Sequence, residues 1–185
     1  ISWVEKMGFK IAIRTGYEAD DMVASIAKDA KEKGFEVRIV SHDKDLYQLI
    51  DDANSVYLFD PTKKQIINEA KCIEKYGVTP KQFIDYQALV GDTADNIPGV
   101  KGVGAKTAQT LIEQFGTLEN IYKNIESIDK KRTKELLIEG KENAFLSKQL
   151  VTLKDDCHFI SNIDEFSLPL ENPILKIASD LESYD

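Results

Sequence analysis

Acidic side chains occur in three short clusters, within the stretches YEADD, SHDKDL and GDTAD. Carboxylate oxygens are the ligands that hard divalent cations such as Mg²⁺ or Mn²⁺ prefer. Two such ions about 4 Å apart can clamp the attacking and leaving oxygens of a phosphodiester. The pattern therefore predicts a two-metal site for phosphodiester chemistry. Its seven candidate ligands are Glu18, Asp20 and Asp21 (first cluster), Asp43 and Asp45 (second cluster), and Asp92 and Asp95 (third cluster).

Each acidic cluster also has an ordinary structural interpretation. Aspartate is a favoured cap at the start of a helix, and a short acidic run on a surface is most often simply solvated. Three clusters at the boundaries of predicted elements favour the metal site, but their spacing alone does not decide between the two interpretations. If the clusters do converge, we expect metal binding to stabilise the fold, because the bare carboxylates would repel one another.

A glycine- and lysine-rich segment, GVKGVGAKTA, follows the third cluster. It predicts two helices joined by a tight hairpin, in which Gly102 and Gly104 permit the turn and a close approach to a ligand. The unsatisfied amides at the start of the second helix suit a phosphate, and Lys101, Lys106 and Thr107 would add charge and a hydroxyl. Because glycine-rich turns are common, a plain connection between helices is the alternative interpretation.

Runs rich in β-branched residues surround the first two clusters and indicate strands. An amphipathic stretch that stops near Gly34 separates the first two runs and predicts a helix. Strand, helix and strand in this order predict a parallel α/β sheet, whose ligands bind at the carboxyl ends of the strands. The first two clusters would lie there. The predicted strands are 9–13 (FKIAI), 35–41 (FEVRIVS), and a pair at 55–60 (SVYLFD) and 64–68 (KQIIN) around a turn.

Helical patterns dominate the chain after the strands, and Gly and Pro residues punctuate them. We therefore predict an α/β fold with a partial parallel-sheet core flanked by helices, followed by a helical subdomain with a helix-hairpin-helix (H3TH) motif. The predicted units are 1–79, 80–150 and an acidic return segment at 151–185 with a final short helix near 173–182. The predicted helices of the second half are 69–76, 80–90, 104–115, 117–124, 130–139 and 141–150.

Composition is that of a soluble globular protein, with 42% hydrophobic and 30% charged residues. No apolar run approaches the roughly 20 residues of a membrane span. We therefore expect a cytoplasmic protein that does not bind a membrane. Cys72 and Cys157 lack metal-ligand spacing, which favours reduced thiols. The net charge of −8 does not exclude a nucleic-acid partner, because most of the excess negative charge lies at the end of the chain. Residues 151–185 carry two lysines and eight acidic residues.

Three stretches together, GYEADDMVASIAK, VSHDKDLYQLI and the segment from KYGVTPKQF to TLENIY, resemble the 5′→3′ exonuclease domains of bacterial DNA polymerase I. Those domains belong to the flap endonuclease family. The resemblance covers roughly residues 1–155. It implies a monomeric, structure-specific 5′ nuclease that hydrolyses DNA phosphodiesters with a metal-activated water. The implied substrates are the 5′ flaps, nicks and RNA primers of replication and repair.

The resemblance also implies roles for individual residues. The first cluster would help to hold one divalent ion, the third cluster would serve the other, and the second cluster would stand between them. The implied catalytic residues are Asp43, Asp45, Asp92 and Asp95. In the hairpin, Gly102, Gly104 and Lys106 would hold phosphates of the duplex. The backbone carbonyls of Val100 and Val103 would coordinate a monovalent cation such as K⁺ that bridges to DNA.

The chain departs from the family pattern at its start. The family domain opens with a strand carrying a metal-binding aspartate and continues through a basic helical arch, and neither precedes Ile1. We therefore expect a fragment without full activity, from a polymerase or a stand-alone exonuclease. Two other classes stay open: a non-catalytic DNA-binding module built on the hairpin, and a related nuclease acting on RNA alone. The basic run DKKRTK at 129–134 fits a solvated helix start, or else a contact with a nearby duplex strand.

Overall fold

A small sheet forms the centre of the first half of the chain. Strands β1 (Val37–Val40) and β2 (Val56–Asp60) are parallel, and β3 (Gln65–Ile67) pairs antiparallel with β2, in the order β1-β2-β3. Short 3-10 helices at Asp45–Leu49 and Asp52–Asn54 connect the parallel pair. These strands confirm three of the four predicted ones, and the parallel pair is β1–β2. The computed structural model describes residues 2–157, 163–167 and 172–178.

The predicted strand at 9–13 is wrong, because this stretch has no strand conformation in the structure. Ile13 is 66% exposed, and Phe9 is also exposed. A β-branched sequence becomes a strand only when a neighbouring strand satisfies its backbone groups. Within the described residues, β1 pairs with β2 alone, so this stretch has no sheet neighbour. The first acidic cluster consequently follows an irregular segment instead of the carboxyl end of a strand.

Helices surround the sheet and form most of the second half of the chain, and their ends follow local sequence signals. The Asn68 side chain accepts a hydrogen bond from the Lys71 amide and so caps the third helix, while Gly77 ends that helix at a φ of +71°. The described helices are α1 (Ser2–Lys6), α2 (Ala19–Glu32), α3 (Glu69–Tyr76), α4 (Pro80–Val90), α5 (Ala105–Phe115), α6 (Leu118–Lys123), α7 (Lys131–Glu139) and α8 (Lys141–Val151).

The predicted helices of the second half are confirmed to within about a residue at each end, a difference no larger than that between methods of assigning helix ends. The predicted final helix near 173–182 begins as a 3-10 helix, Pro173–Ile177, and its second half lies outside the described residues. None of the helices in the described part of the chain is both long enough and apolar enough to span a bilayer.

One hydrophobic core continues from the sheet into the helical half across the predicted boundary at residue 79. Its centre is an aromatic group in which the rings of Tyr76 and Phe83 meet edge to face at 4.8 Å. Tyr47, from the turn after β1, stacks on Phe83 at 5.6 Å. Offset and edge-to-face pairs add to the stability that burial provides. The turn carrying the second cluster is therefore anchored directly to α4, which leads to the third cluster.

Candidate active site

The first cluster lies at the start of α2. Asp21 is buried, and both of its carboxylate oxygens accept backbone amides, one from Glu18 at 3.2 Å and one from Lys154 at 2.8 Å. Charge-assisted bonds of this kind fix a carboxylate in place. Asp20 is half-buried, whereas Glu18 is exposed. Asp21 thus ties the start of α2 to the segment after α8, and Asp20 is left to face its acidic neighbours.

The second cluster occupies the turn that follows β1. Asp43 accepts the amide of Asp45 at 3.0 Å and so shapes the start of the 3-10 helix. One carboxylate oxygen of Asp45 accepts a hydrogen bond of 2.5 Å from the side-chain amide of Gln87 on α4. The side-chain oxygen of Gln87, Oε1, is itself buried without a hydrogen-bond partner in the described structure. Gln87 therefore orients Asp45 from the helix that leads to the third cluster.

Electrostatics place the first two clusters side by side. The pKa of Asp20 is raised above its ordinary value, first by burial and then by the negative charges of Asp43 and Asp45, with smaller effects from Glu18 and Asp21. Carboxylates raise each other's pKa only when they lie within several ångströms in a region that water screens poorly. The structure therefore brings together two segments that are more than twenty residues apart in the sequence.

The third cluster joins this region through a lysine. Asp92 follows α4 in a loop closed by two backbone bonds with Ile97, at 2.9 and 2.7 Å. Its Oδ1 accepts the Ala94 amide at 2.9 Å, and its Oδ2 forms an ion pair with Lys44 Nζ. Because Lys44 stands between the two aspartates of the second cluster, this ion pair connects the second and third clusters. Asp95 is exposed on the same loop.

Metal-ion chemistry fits the donors found here, although the carboxylates are not arranged around a common point. Within the described residues, no three His, Cys, Asp or Glu side chains are placed to hold one ion. The decisive observation is Asp92 Oδ2, which is buried and accepts no well-aligned hydrogen bond from the part of the chain that the structure describes. A buried anionic oxygen of this kind requires a cation, and the Lys44 ammonium is the cation now beside it.

The hairpin follows the third cluster directly. The Val100 amide donates to the Leu89 carbonyl at 2.8 Å, and the Val103 amide donates to the Val100 carbonyl at 2.9 Å, which closes the turn. Gly102 has a φ of +87°, a conformation that L side chains rarely adopt. Gly104 is the N-cap of α5 and provides no side-chain cap, so the first amides of the helix are open to a ligand.

Basic side chains border the hairpin on two sides. A cleft of about 450 Å³ is lined by Lys101 together with Arg132. A second cleft, of about 470 Å³, is lined by Lys106 and Thr107 on α5 together with Lys130. The run at 129–134 therefore lies beside the hairpin, and its contact with a duplex strand stays a prediction. Spacing along the chain did not predict this proximity, because more than twenty residues separate the two segments.

Two family models cover nearly the whole chain. Residues 1–77 match the N-terminal resolvase-like domain of 5′-3′ exonucleases, and residues 78–173 match their C-terminal SAM-fold domain. The chain belongs to the 5′-3′ exonuclease family. This membership accounts for the order in which the acidic clusters precede the hairpin, and it confirms the resemblance and the mixed α/β fold class predicted from the sequence.

Relatives in this family include both short exonucleases and long polymerases. The 5′-3′ exonuclease of Buchnera aphidicola subsp. Schizaphis graminum is 41% identical over 184 residues, which cover 96% of this chain and 63% of that one. DNA polymerase I of Deinococcus radiodurans is 40% identical over 174 residues, which cover 93% of this chain and 18% of that one. The chain thus spans less than two thirds of the relative's length in the first case and about a fifth in the second.

A solved structure of the same family shows the arrangement with ligands. It is a bacteriophage T5 flap endonuclease variant in a pseudo-enzyme–product complex with DNA and metal ions, 28% identical to this chain with a TM-score of 0.70. The match covers 93% of this chain and 61% of that one. At this identity and score, the likeness extends to the overall fold.

Proposed function

We propose that this chain forms part of a divalent-metal-dependent, structure-specific 5′ nuclease that acts on DNA at 5′ flaps, nicks and RNA primers. The observation that carries the proposal is the coupling between the acidic clusters, by electrostatic repulsion in one case and by an ion pair in the other. Asp20 lies in the field of Asp43 and Asp45, and Lys44 connects that pair to Asp92. A surface that only bound DNA would gain nothing from mutually repelling carboxylates, because they weaken its attraction for phosphates.

Two divalent ions, Mg²⁺ or Mn²⁺, would bind to the seven carboxylates of the three clusters. When bound, these ions would supply an activated water and neutralise charge on the scissile phosphodiester. The chain's own residues hold the ligands in place: Gln87 fixes Asp45, and the amides of Glu18 and Lys154 fix Asp21. Bonds of this kind behind a ligand set its orientation and its basicity.

The DNA-binding part of the proposal assigns the phosphate backbone to the hairpin. Lys101, Gly102, Gly104, Lys106 and Thr107 would contact phosphates, which fixes the register of the duplex without reading its bases. The Val100 carbonyl accepts the Val103 amide with one lone pair, and its second lone pair would serve the proposed monovalent cation, K⁺. The neighbouring basic clefts extend this surface. The bacteriophage T5 relative in complex with DNA and metal ions supports both parts.

The test compares variants of the intact protein that contains this chain. Asp92→Asn and Asp43→Asn are expected to abolish Mg²⁺-dependent cleavage of a 5′-flap DNA while leaving its binding within about twofold. The matched control is Asp29→Asn, a loss of one carboxylate in the second half of α2, outside the clusters and the hairpin surface, which keeps cleavage. Cleavage at the wild-type rate in either cluster variant would reject the proposal. Cleavage of single-stranded RNA with the flap untouched would instead identify a nuclease acting on RNA alone.

Salt dependence tests the hairpin separately. Each lysine that meets a phosphate contributes about −0.9 to the slope of log affinity against log salt concentration. Lys106→Ala should therefore flatten the slope by about 0.9, whereas Lys33→Ala, at an exposed site after α2, should leave it unchanged. Equal slopes for wild type and Lys106→Ala would remove this contact. If a metal chelator changes neither the DNA binding nor any other measured property of the protein, the non-catalytic DNA-binding module is favoured.

A further inference from the structure

We infer that Lys44 is an internal counter-cation for Asp92, which an incoming divalent ion must displace before it can bind this carboxylate. The inference rests on the proposed function and adds to it a residue that tunes metal affinity. Lys44 lies between Asp43 and Asp45 in the sequence, yet its side chain reaches across to the loop after α4. The clusters thus carry their own cation when no metal is bound.

The surroundings of Asp92 show why this cation is required. The Asp92 side chain is 6% exposed. Its Oδ1 is occupied by the Ala94 amide, and its Oδ2 has no well-aligned hydrogen bond from the described residues. A buried carboxylate oxygen without a donor or a cation is strongly unfavourable, and the Lys44 ammonium is the group that offsets this cost.

The properties of Lys44 make the ion pair exchangeable. Its side chain is 38% exposed, so part of Lys44 is already in contact with solvent. A lysine ammonium is a point charge on a flexible stem, whereas an arginine would bind a carboxylate with a rigid two-pronged fork. Lysine therefore suits a temporary partner that is held in place only while no stronger cation competes.

Competition follows because both cations need the same oxygen. A divalent ion that takes Asp92 Oδ2 as a ligand must move the ammonium several ångströms away, so the free energy of the ion pair opposes metal binding. Removal of the ammonium leaves Asp92 free for the metal and also removes a positive charge from beside the carboxylates of the second cluster. Both effects predict tighter metal binding when Lys44 is neutralised.

The experiment measures Mn²⁺ binding by the intact protein without DNA, with free Mn²⁺ followed by electron paramagnetic resonance. Lys44→Met is expected to bind Mn²⁺ up to about fivefold more tightly than wild type, the effect of one partly exposed ion pair. Lys33→Met, which causes the same change in net charge, should match the wild type. Circular dichroism in the presence of Mn²⁺ shows whether Lys44→Met folds. If it does not, Lys44→Gln serves as a second variant with a neutral side chain.

An Asp92→Asn background completes the test, since the inference assigns most of the effect to this carboxylate. There, Lys44→Met should retain only the smaller gain that comes from removing its charge beside the second cluster. Equal affinity of Lys44→Met and wild type, or weaker binding by Lys44→Met, overturns the inference and leaves the proposed function intact. A wild-type protein that binds no Mn²⁺ overturns the proposed function, and the inference falls with it. A gain that persists in full in Asp92→Asn also contradicts the inference.

Discussion

Replacing Gly99 with alanine tests how the acidic loop is joined to the hairpin. Gly99 has a φ of +59°, and a Cβ placed there would lie 2.5 Å from the Gly91 nitrogen, about 1 Å inside van der Waals contact. All the atoms nearest to such a Cβ are backbone atoms of Gly91 and Val90. The clash therefore cannot be relieved by the movement of a flexible side chain. The Gly99 amide also donates to the buried Ser147 hydroxyl at 2.9 Å, which ties the loop to α8.

The expected cost of Gly99→Ala has two parts. The left-handed backbone conformation costs an L residue about 1–2 kcal/mol, and the reduced freedom of the unfolded chain returns about half of that. Forcing the two backbones apart in a packed region adds about 1–3 kcal/mol. We therefore expect Gly99→Ala to lower the free energy of unfolding by about 2–4 kcal/mol.

Gly116→Ala is the matched control for this variant. Gly116 has a φ of +82°, but a Cβ at this position would meet no atom of the described residues within 4 Å, so only the conformational cost of about 1 kcal/mol applies. Urea unfolding of both variants, followed by circular dichroism, gives the comparison. The loop shift in Gly99→Ala should also weaken flap-DNA binding, since the hairpin begins at the next residue. Equal destabilisation by the two substitutions would refute the reasoning from close backbone contact.

Two further predictions concern buried polar groups. Lys148 pairs with the buried Asp85 carboxylate at 2.6 Å, so Lys148→Met should destabilise the fold by about 2–4 kcal/mol in urea unfolding, and adding Asp85→Asn should recover part of the loss. An additive double variant would contradict this coupling. Burial raises the pKa of the Cys72 thiol to about 12, so native protein at pH 8 should react with iodoacetamide at Cys72 roughly a thousandfold more slowly than urea-unfolded protein. Rapid native labelling of Cys72, resolved by peptide mass spectrometry, would show that the thiol is not buried as described.

Local signals in the sequence determined the helices. Asn68 and Gly77 mark the two ends of α3, and Thr79 with Pro80 marks the start of α4, because caps and fixed φ values act over only a few residues. The acidic clusters were visible for the same reason, since each lies within one short segment. The family and its expected chemistry followed from the order of these segments along the chain.

Long-range contacts decided the rest. FKIAI has the composition of a strand, yet it has no neighbouring strand in the described structure, and composition does not encode a hydrogen-bonding partner. The pairing of Lys44 with Asp92 and of Gln87 with Asp45 spans more than forty residues in each case. The sequence by itself was enough to predict the carboxylates, because each cluster lies within one short segment. Only the tertiary structure determined which groups lie beside each carboxylate and which cation neutralises Asp92. The physical reason is that burial and electrostatic environment depend on neighbours that are distant in the chain.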